Sequence, residues 1–259
     1  MQRLAWVILT ALLLVSPLRA ETACLAQVSD LAPGLHIHRA ALGADEVGLT
    51  FVGHSTFLIE SPRGVRIATD YNDHVRPRAI PDIATMNHAH DTHFSTRPDS
   101  RIVHVLKGWS EGSGKVQHDL PYSDTRVRSV PTNIRSGGTT EFNGNSIFIF
   151  EISGLCIAHL GHLHHTLTGE HLKAIGQLDV VLVPVDGSFT MDMDGMIEVL
   201  QSLNAPLMIP MHYFGQSTLN RFIDRMSEKY DVKRSDSPAI TLSRATLPVR
   251  PTVMVLPGR

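Results

Sequence analysis

Asp82-Ile83-Ala84-Thr85-Met86-Asn87-His88-Ala89-His90-Asp91-Thr92-His93 is the stretch that decides the fold. A short apolar strand, Asp82 to Met86, runs directly into three histidines. The arrangement recurs twice. Leu155 to Leu160 leads into His159-Leu160-Gly161-His162-Leu163-His164-His165, and Leu207 to Met211 leads into His212. Imidazole is the commonest protein ligand for borderline transition metals. Ligands that are distant in sequence but stand at strand ends can converge on one edge of a sheet. The pattern points to a metal centre.

Outward from these segments the chain is strand-rich first and alternating later. Val47 to Val52, Thr56 to Glu60 and Val65 to Thr69 are apolar, β-rich runs, the last two separated by the turn Pro62-Arg63-Gly64. Ile102 to Leu106 and Val127 to Val130 read as strands, with Gly108 to Asp124 a polar loop between them. Ile147 to Ile152 and Leu155 to Leu160 form a hairpin across Ser153-Gly154. Thr168 caps a helix reaching about Gly176, and Val180 to Val185 is a strand. Asp192 opens a helix with Met196, Val199, Leu200 and Leu203 on one face. Ser217 caps a third helix with Leu219, Phe222, Ile223 and Met226 inward, and Val253 to Leu256 closes the series. Two packed sheets with helices outside would bury runs this apolar.

Five blocks in order resemble the metallo-β-lactamase-fold hydrolases, in particular the ascorbate-6-phosphate lactonase-like branch. They are Gly53 to Glu60, His88 to His93, Ile157 to His162, Val181 to Asp186, and Ile209-Pro210-Met211-His212-Tyr213, within roughly residues 47 to 230. The resemblance implies an α/β fold, an αββα sandwich of two packed mixed β-sheets with outer helices and metals bound at one edge. It also carries departures. The family's loop aspartate is Thr92 here, with Asp91 one place earlier. Its metal-bridging aspartate is His162. The loop that gives relatives a further histidine is Pro131-Thr132-Asn133-Ile134-Arg135.

These changes bear on metal count. Two dications about 4 Å apart repel by roughly 17 kcal/mol at an effective dielectric near 20. Carboxylates offset that repulsion and neutral imidazoles do not. One tightly held ion is therefore expected rather than two, with ligands drawn from His88, His90, His93, His162 and His212. Nitrogen ligation suits Zn²⁺ and also accepts copper, nickel or iron. The expected chemistry is hydrolysis of a small-molecule ester, lactone, phosphoester or amide by metal-activated water. Asp91 is the candidate base or water-orienting group, His165 (or His54) a proton donor, and Arg135 a holder of negative charge. His159 and His164 read as supporting residues. Asp186 is either a turn residue or a strand-end carboxylate that reaches the metal edge. Two rival readings share the histidines: a metal-binding protein without catalysis, and a histidine-ligated redox centre.

The ends and the composition set the remaining bounds. Arg3, the apolar run Leu4 to Val15 and Ser16-Pro17-Leu18-Arg19-Ala20 read as a signal peptide cut after Ala20, leaving one domain over 21–259. The expected location is periplasmic or secreted. The mature chain would carry 21 basic and 25 acidic residues, a net of −4, with no basic patch for nucleic acid. No later stretch reaches the roughly 20 apolar residues of a membrane span. Cys24 and Cys156 could pair in an oxidising compartment, although Cys156 sits in an apolar run and reads first as a small core residue. Oligomeric state is not legible.

Overall fold

The computed structural model describes residues 42–112 and 114–258. The expected signal peptide and Cys24 lie outside them. The strands are β1 (Val47–Gly53), β2 (Thr56–Glu60), β3 (Arg66–Ala68), β4 (Ile83–Met86), β5 (His104–Lys107), β6 (Asp119–Tyr122), β7 (Thr125–Ser136), β8 (Thr139–Ile152), β9 (Leu155–His159), β10 (Val180–Pro184), β11 (Leu207–Met211), β12 (Asp231–Arg234), β13 (Ala239–Leu242) and β14 (Thr252–Val255). The helices are α1 (Gly169–Ile175), α2 (Met193–Leu203) and α3 (Gln216–Ser227). Two mixed sheets result. One has six strands in the order β13-β1-β2-β3-β4-β5, the other eight in the order β12-β14-β11-β10-β9-β8-β7-β6.

Period-two alternation builds the sandwich. In β8, Phe148 and Phe150 point into the layer between the sheets, where they meet Leu49, Phe57, Ile59, Ile67 and Leu182. Ile147 and Ile149 point the other way, onto Met196, Leu200, Leu219 and Phe222 of α2 and α3. Cys156 is buried in this helix-side layer. The helices gather on that one face. The far face of the six-stranded sheet is covered by Tyr71, Ile102 and Trp109 from loops, with no helix there among the described residues.

Four local differences from the sequence reading have physical reasons. The polar segment expected as a loop contains β6, an edge strand whose residues are half-buried at best. β12 and β13 are likewise short edge strands, half of whose residues are exposed, and of these eight only Leu242 is buried in the core. β7 and β8 extend well past their apolar cores into a hairpin that turns at Gly137-Gly138, both at positive φ. Residues 139–142 of that hairpin are solvent-exposed, so hydrophobicity does not mark them. Finally, α3 is preceded by Gly215, whose carbonyl accepts from Thr218 N (3.2 Å) and Leu219 N (3.3 Å). Ser217 lies inside the helix rather than capping it.

The topology places the chemistry. β3, β4 and β5 are mutually parallel, as are β9, β10, β11, β14 and β12. In such sheets ligands bind beyond the carboxyl ends of the strands. Asp70 follows β3, His88 to His93 follow β4, His162 follows β9, Asp186 follows β10, and His212 follows β11 directly.

Candidate metal centre

Three imidazoles meet at His93. Its Nε2 lies 3.2 Å from His212 Nε2 and 3.0 Å from His162 Nδ1. His54, from the turn between β1 and β2, reaches the same space. Ring nitrogens of His54, His93 and His212 all lie within 4.8 Å of one another. The His54 ring stands edge-on to His212, with centroids 4.5 Å apart. His93, His162 and His212 are buried.

Carboxylates stand behind two of these rings. His93 Nδ1 donates to Asp70 Oδ2 at 2.5 Å, and both residues are fully buried. That bond fixes the tautomer and turns the Nε2 lone pair inward. His212 Nδ1 lies 3.6 Å from Asp186 Oδ2, an ion-pair distance too long for a good hydrogen bond. A carboxylate behind a histidine is the arrangement that orients metal-binding imidazoles and raises their basicity. Burial pushes the Asp70 carboxyl up to about 6. Burial also opposes charge on Asp186, but contacts from His212 and from the Thr190 hydroxyl and amide outweigh it and hold the group at about 2.

The surrounding polar core fixes each ring. Asn145 Oδ1 accepts from His162 N at 2.8 Å, and Asn145 Nδ2 donates to Thr132 Oγ1 at 2.7 Å. Asn87 Nδ2 donates to Ser146 O at 2.8 Å. Gly161, at φ +63, passes so close that a Cβ there would sit 2.5 Å from both asparagine side chains. His159 uses both nitrogens structurally, donating to Ser55 O (2.7 Å) and accepting from Gly161 N (3.1 Å). His212 N donates to His54 O at 2.8 Å, which locks the two loops together.

Burial, and then neighbouring imidazoles, lower the pKa of His54 to about 4 and take His93 and His162 well below the usual range. His164 falls to about 4, from burial and the nearby Arg135 guanidinium. Neutral imidazole is the form that ligates a metal. The donors fit a cation on two further grounds. His54 Nε2 is buried without a hydrogen-bond partner. The nitrogen spacings of 3.0 and 3.2 Å also approach the ~3.3 Å that a tetrahedral ion imposes on nitrogens ~2.0–2.1 Å from it.

The other residues singled out by sequence are distributed as follows. His88 donates from Nδ1 to Gly144 O at 2.6 Å, and its ring stacks on His162 with centroids 5.3 Å apart. His90 is more exposed, with its ring 5.9 Å from His93 and 6.2 Å from His162. Asp91 is 72 % exposed, pairs with His90 (3.2 Å) and His74 (3.9 Å), and stands outside the buried cluster. His165 is not available as a proton donor to a substrate. Its Nδ1 donates to Thr166 O (2.8 Å) and its Nε2 accepts from Asn133 N (3.0 Å). Arg135 lies at the rim, where its guanidinium donates to Thr190 O at 2.9 Å.

Sequence reasoning passed over Asp70 and gave His54 no ligand role. Asp70 does carry a signal, because it is the carboxylate that closes the strand Val65 to Thr69, in the same position relative to β3 as the histidines have to their strands. A cavity of about 180 Å³ opens beside His54, lined by Phe51, Tyr213, Gln216 and Gly258.

Known proteins share this architecture. Over 200 residues the chain is 26 % identical to a UPF0173 metal-dependent hydrolase of Thermoplasma volcanium, a match covering 65 % of this chain and 84 % of that protein. It is equally similar, over 197 residues, to one from Methanosphaerula palustris, covering 70 % and 89 %. A Thermotoga maritima structure assigned to the Zn-dependent hydrolases of the metallo-β-lactamase superfamily superposes with a TM-score of 0.60 at 25 % identity, covering 82 % of this chain and all of that one. The fold also matches a metallo hydrolase from Ignicoccus hospitalis, with a TM-score of 0.56 at 20 % identity over 76 % and 99 % of the two chains. The β-lactamase superfamily domain model matches residues 48–212, from within β1 to the histidine after β11. With five strand-end blocks on two packed mixed sheets, the chain belongs to the metallo-β-lactamase superfamily, among relatives named as metal-dependent hydrolases.

Proposed function

We propose that this protein is an exported hydrolase that uses one divalent cation, zinc in the first instance, on a small-molecule ester, lactone, phosphoester or amide. The observation that carries the reading is the convergence of His93, His162 and His212 nitrogens within 3.2 Å of neighbours, with Asp70 and Asp186 buried behind two of the rings. His93 and His212 are the anchors. His162 and His54 are the candidates for a third nitrogen, which leaves the fourth position of a tetrahedral ion open to water, and His88 and His90 flank them. A cation held there would polarise a carbonyl or phosphoryl oxygen and lower the pKa of its water to near 7.

The chain's own groups do the rest. Asp70 keeps the His93 proton on Nδ1, and Asp186 stands behind the His212 ring, its Oδ2 3.6 Å from Nδ1. Arg135 at the rim offers a cation to a negatively charged substrate group. Asp91 can serve only from the surface side of His90. A lactone fits the resemblance to the lactonase-like branch. Export is supported by the apolar N-terminal run. No helix among the described residues is long and apolar enough to cross a membrane.

One observation favours a second reading. Among the described residues no carboxylate faces the cluster centre, so their donor set is all nitrogen and would equally hold a redox metal. Metal analysis separates the two. Stoichiometric zinc, lost in His93→Ala and His212→Ala together with hydrolysis of a small-ester and lactone panel, supports the hydrolase. A redox-active ion with no hydrolysis supports the rival, and full metal retention in both variants removes the proposed centre.

A further inference from the structure

Two large aromatic side chains stand in solvent beside the candidate metal centre. Phe189 is 65 % exposed and Phe214 is 63 % exposed. Their rings meet edge-to-face with centroids 5.3 Å apart, a favoured aromatic geometry. Phe214 also lies edge-on to both His212 (5.3 Å) and His54 (5.9 Å). The pair is therefore continuous with the metal-facing rings.

The loop that carries Phe189 is built. Asp186 Oδ1 accepts from Thr190 N at 2.9 Å, and Asp186 Oδ2 accepts from Thr190 Oγ1 at 2.7 Å. Arg135 donates to Thr190 O at 2.9 Å. The carboxylate that backs His212 thus also holds the turn from which Phe189 projects. Phe214 is placed by its neighbours, since His212 N is fixed to His54 O and Gly215 begins the turn into α3. An exposed apolar pair on fixed loops, rimmed by polar groups, marks a binding surface.

We propose that Phe189 and Phe214 form a shelf for the apolar, ring-bearing part of the substrate, so that the molecule hydrolysed is a hydrophobic ester, lactone or amide. This rests on the hydrolase reading for the reaction, but the recognition itself does not. The occupant is a small organic molecule because the shelf adjoins the metal-facing rings of His212 and His54.

The test uses matched carboxylate probes on the full chain loaded with zinc. Phenylacetate and acetate are titrated by calorimetry into the wild type, Phe189→Ala, Phe214→Ala, the double variant and Phe214→Leu. Phe142→Ala, which removes a 68 % exposed phenylalanine outside the pair, is the control. The expected result is phenylacetate binding at least tenfold tighter than acetate in the wild type and in Phe142→Ala. The preference should fall to about threefold or less in the double variant, be intermediate in Phe214→Leu, and leave acetate affinity and zinc content unchanged. Three results overturn the shelf: no measurable phenylacetate binding, an undiminished preference in the double variant, or a change in oligomeric mass on removing the rings, which would assign the surface to a protein contact. Loss of hydrolysis with the binding preference intact would sink the hydrolase reading and leave the shelf standing.

Discussion

Gly161→Ala is the sharpest probe of how the centre is built. The substitution adds one methyl group, but at φ +63 and into a space where the nearest atoms, Asn145 Oδ1 and Asn87 Nδ2, are 2.5 Å away and Asn87 Cβ is 2.8 Å away. The left-handed backbone alone costs an alanine about 1–2 kcal/mol. Displacing Asn145 breaks its bond to His162 N, and an unsatisfied buried amide costs about 1–3 kcal/mol more. Together they remove about 2–5 kcal/mol from a stability of order 5–15 kcal/mol. For a domain of this size that is a fall in Tm of order 10 °C. Gly138→Ala separates the two contributions, because Gly138 has φ +85 with nothing within 4 Å of an added methyl. It should cost only the backbone share. Differential scanning calorimetry and zinc content on both variants make the comparison. Gly161→Ala should be the less stable by at least about 1 kcal/mol, the lower bound of the unsatisfied amide, and should lose zinc affinity, because the clash moves His162, while Gly138→Ala keeps it. Equal stability and equal zinc affinity in the two variants would refute the argument that Gly161 is required by the packing of the site.

Two further outcomes follow from the buried ionisable groups. Asp70→Asn keeps the shape but removes the negative charge and leaves one acceptor oxygen for two donors, His93 Nδ1 and Asn87 N; zinc affinity, measured by competition with a chromophoric chelator, should fall about 10–100-fold, as for other residues that orient a metal ligand, and an unchanged affinity would remove Asp70 from the site. The metal-free protein should lose stability as pH falls. His54 has a folded pKa of about 4, below its ordinary 6.5, so the unfolded chain binds more protons between these values and stability rises with pH. The His54 contribution is fully present above about pH 6.5, is lost progressively towards pH 4, and is at most about 3 kcal/mol. His93 and His162 act in the same direction, while Asp70, raised to about 6, opposes them. Chemical denaturation of chelator-treated protein at several pH values checks the sign, and a metal-free protein more stable at pH 5 than at pH 7 would contradict it.

Much of the sandwich is legible because its central strands are apolar. β4, β8, β9, β10 and β11 bury long runs of side chains, and α2 shows its inward face at helical spacing. The edges are another matter. β6, β12 and β13 are held by backbone hydrogen bonding to β7, β14 and β1, which no side-chain pattern announces. The histidines show a similar divide. His88, His90, His93, His162 and His212 can be found from their places at strand ends. Which of them points at which is a matter of ring orientation, set by partners such as Gly144 O for His88 and Asp70 for His93, and those partners lie 56 and 23 residues away.

The backbone supplies one more piece of the centre that residue types alone do not disclose. His54, Asp70 and His212 all adopt positive φ, at 50°, 50° and 54°. Histidine and aspartate tolerate this region better than most residues, yet it remains a sparse conformation for any side chain with a Cβ. Strain of this kind persists only where the surroundings over-determine it. Here His212 N is tied to His54 O, Asp70 O accepts from Asn72 Nδ2 at 2.9 Å, and Asp70 Oδ1 accepts from Asn87 N at 3.3 Å. Each bond holds the chain in a turn that an extended strand end would not make, and each turn swings a side chain back across the sheet edge toward His93. The three bends and the two carboxylate–histidine pairs therefore belong to one construction. Relaxing any bend to an ordinary φ would carry its ring or carboxylate away from the cluster, which is why a gain in local backbone ease at these positions should come with a loss of metal.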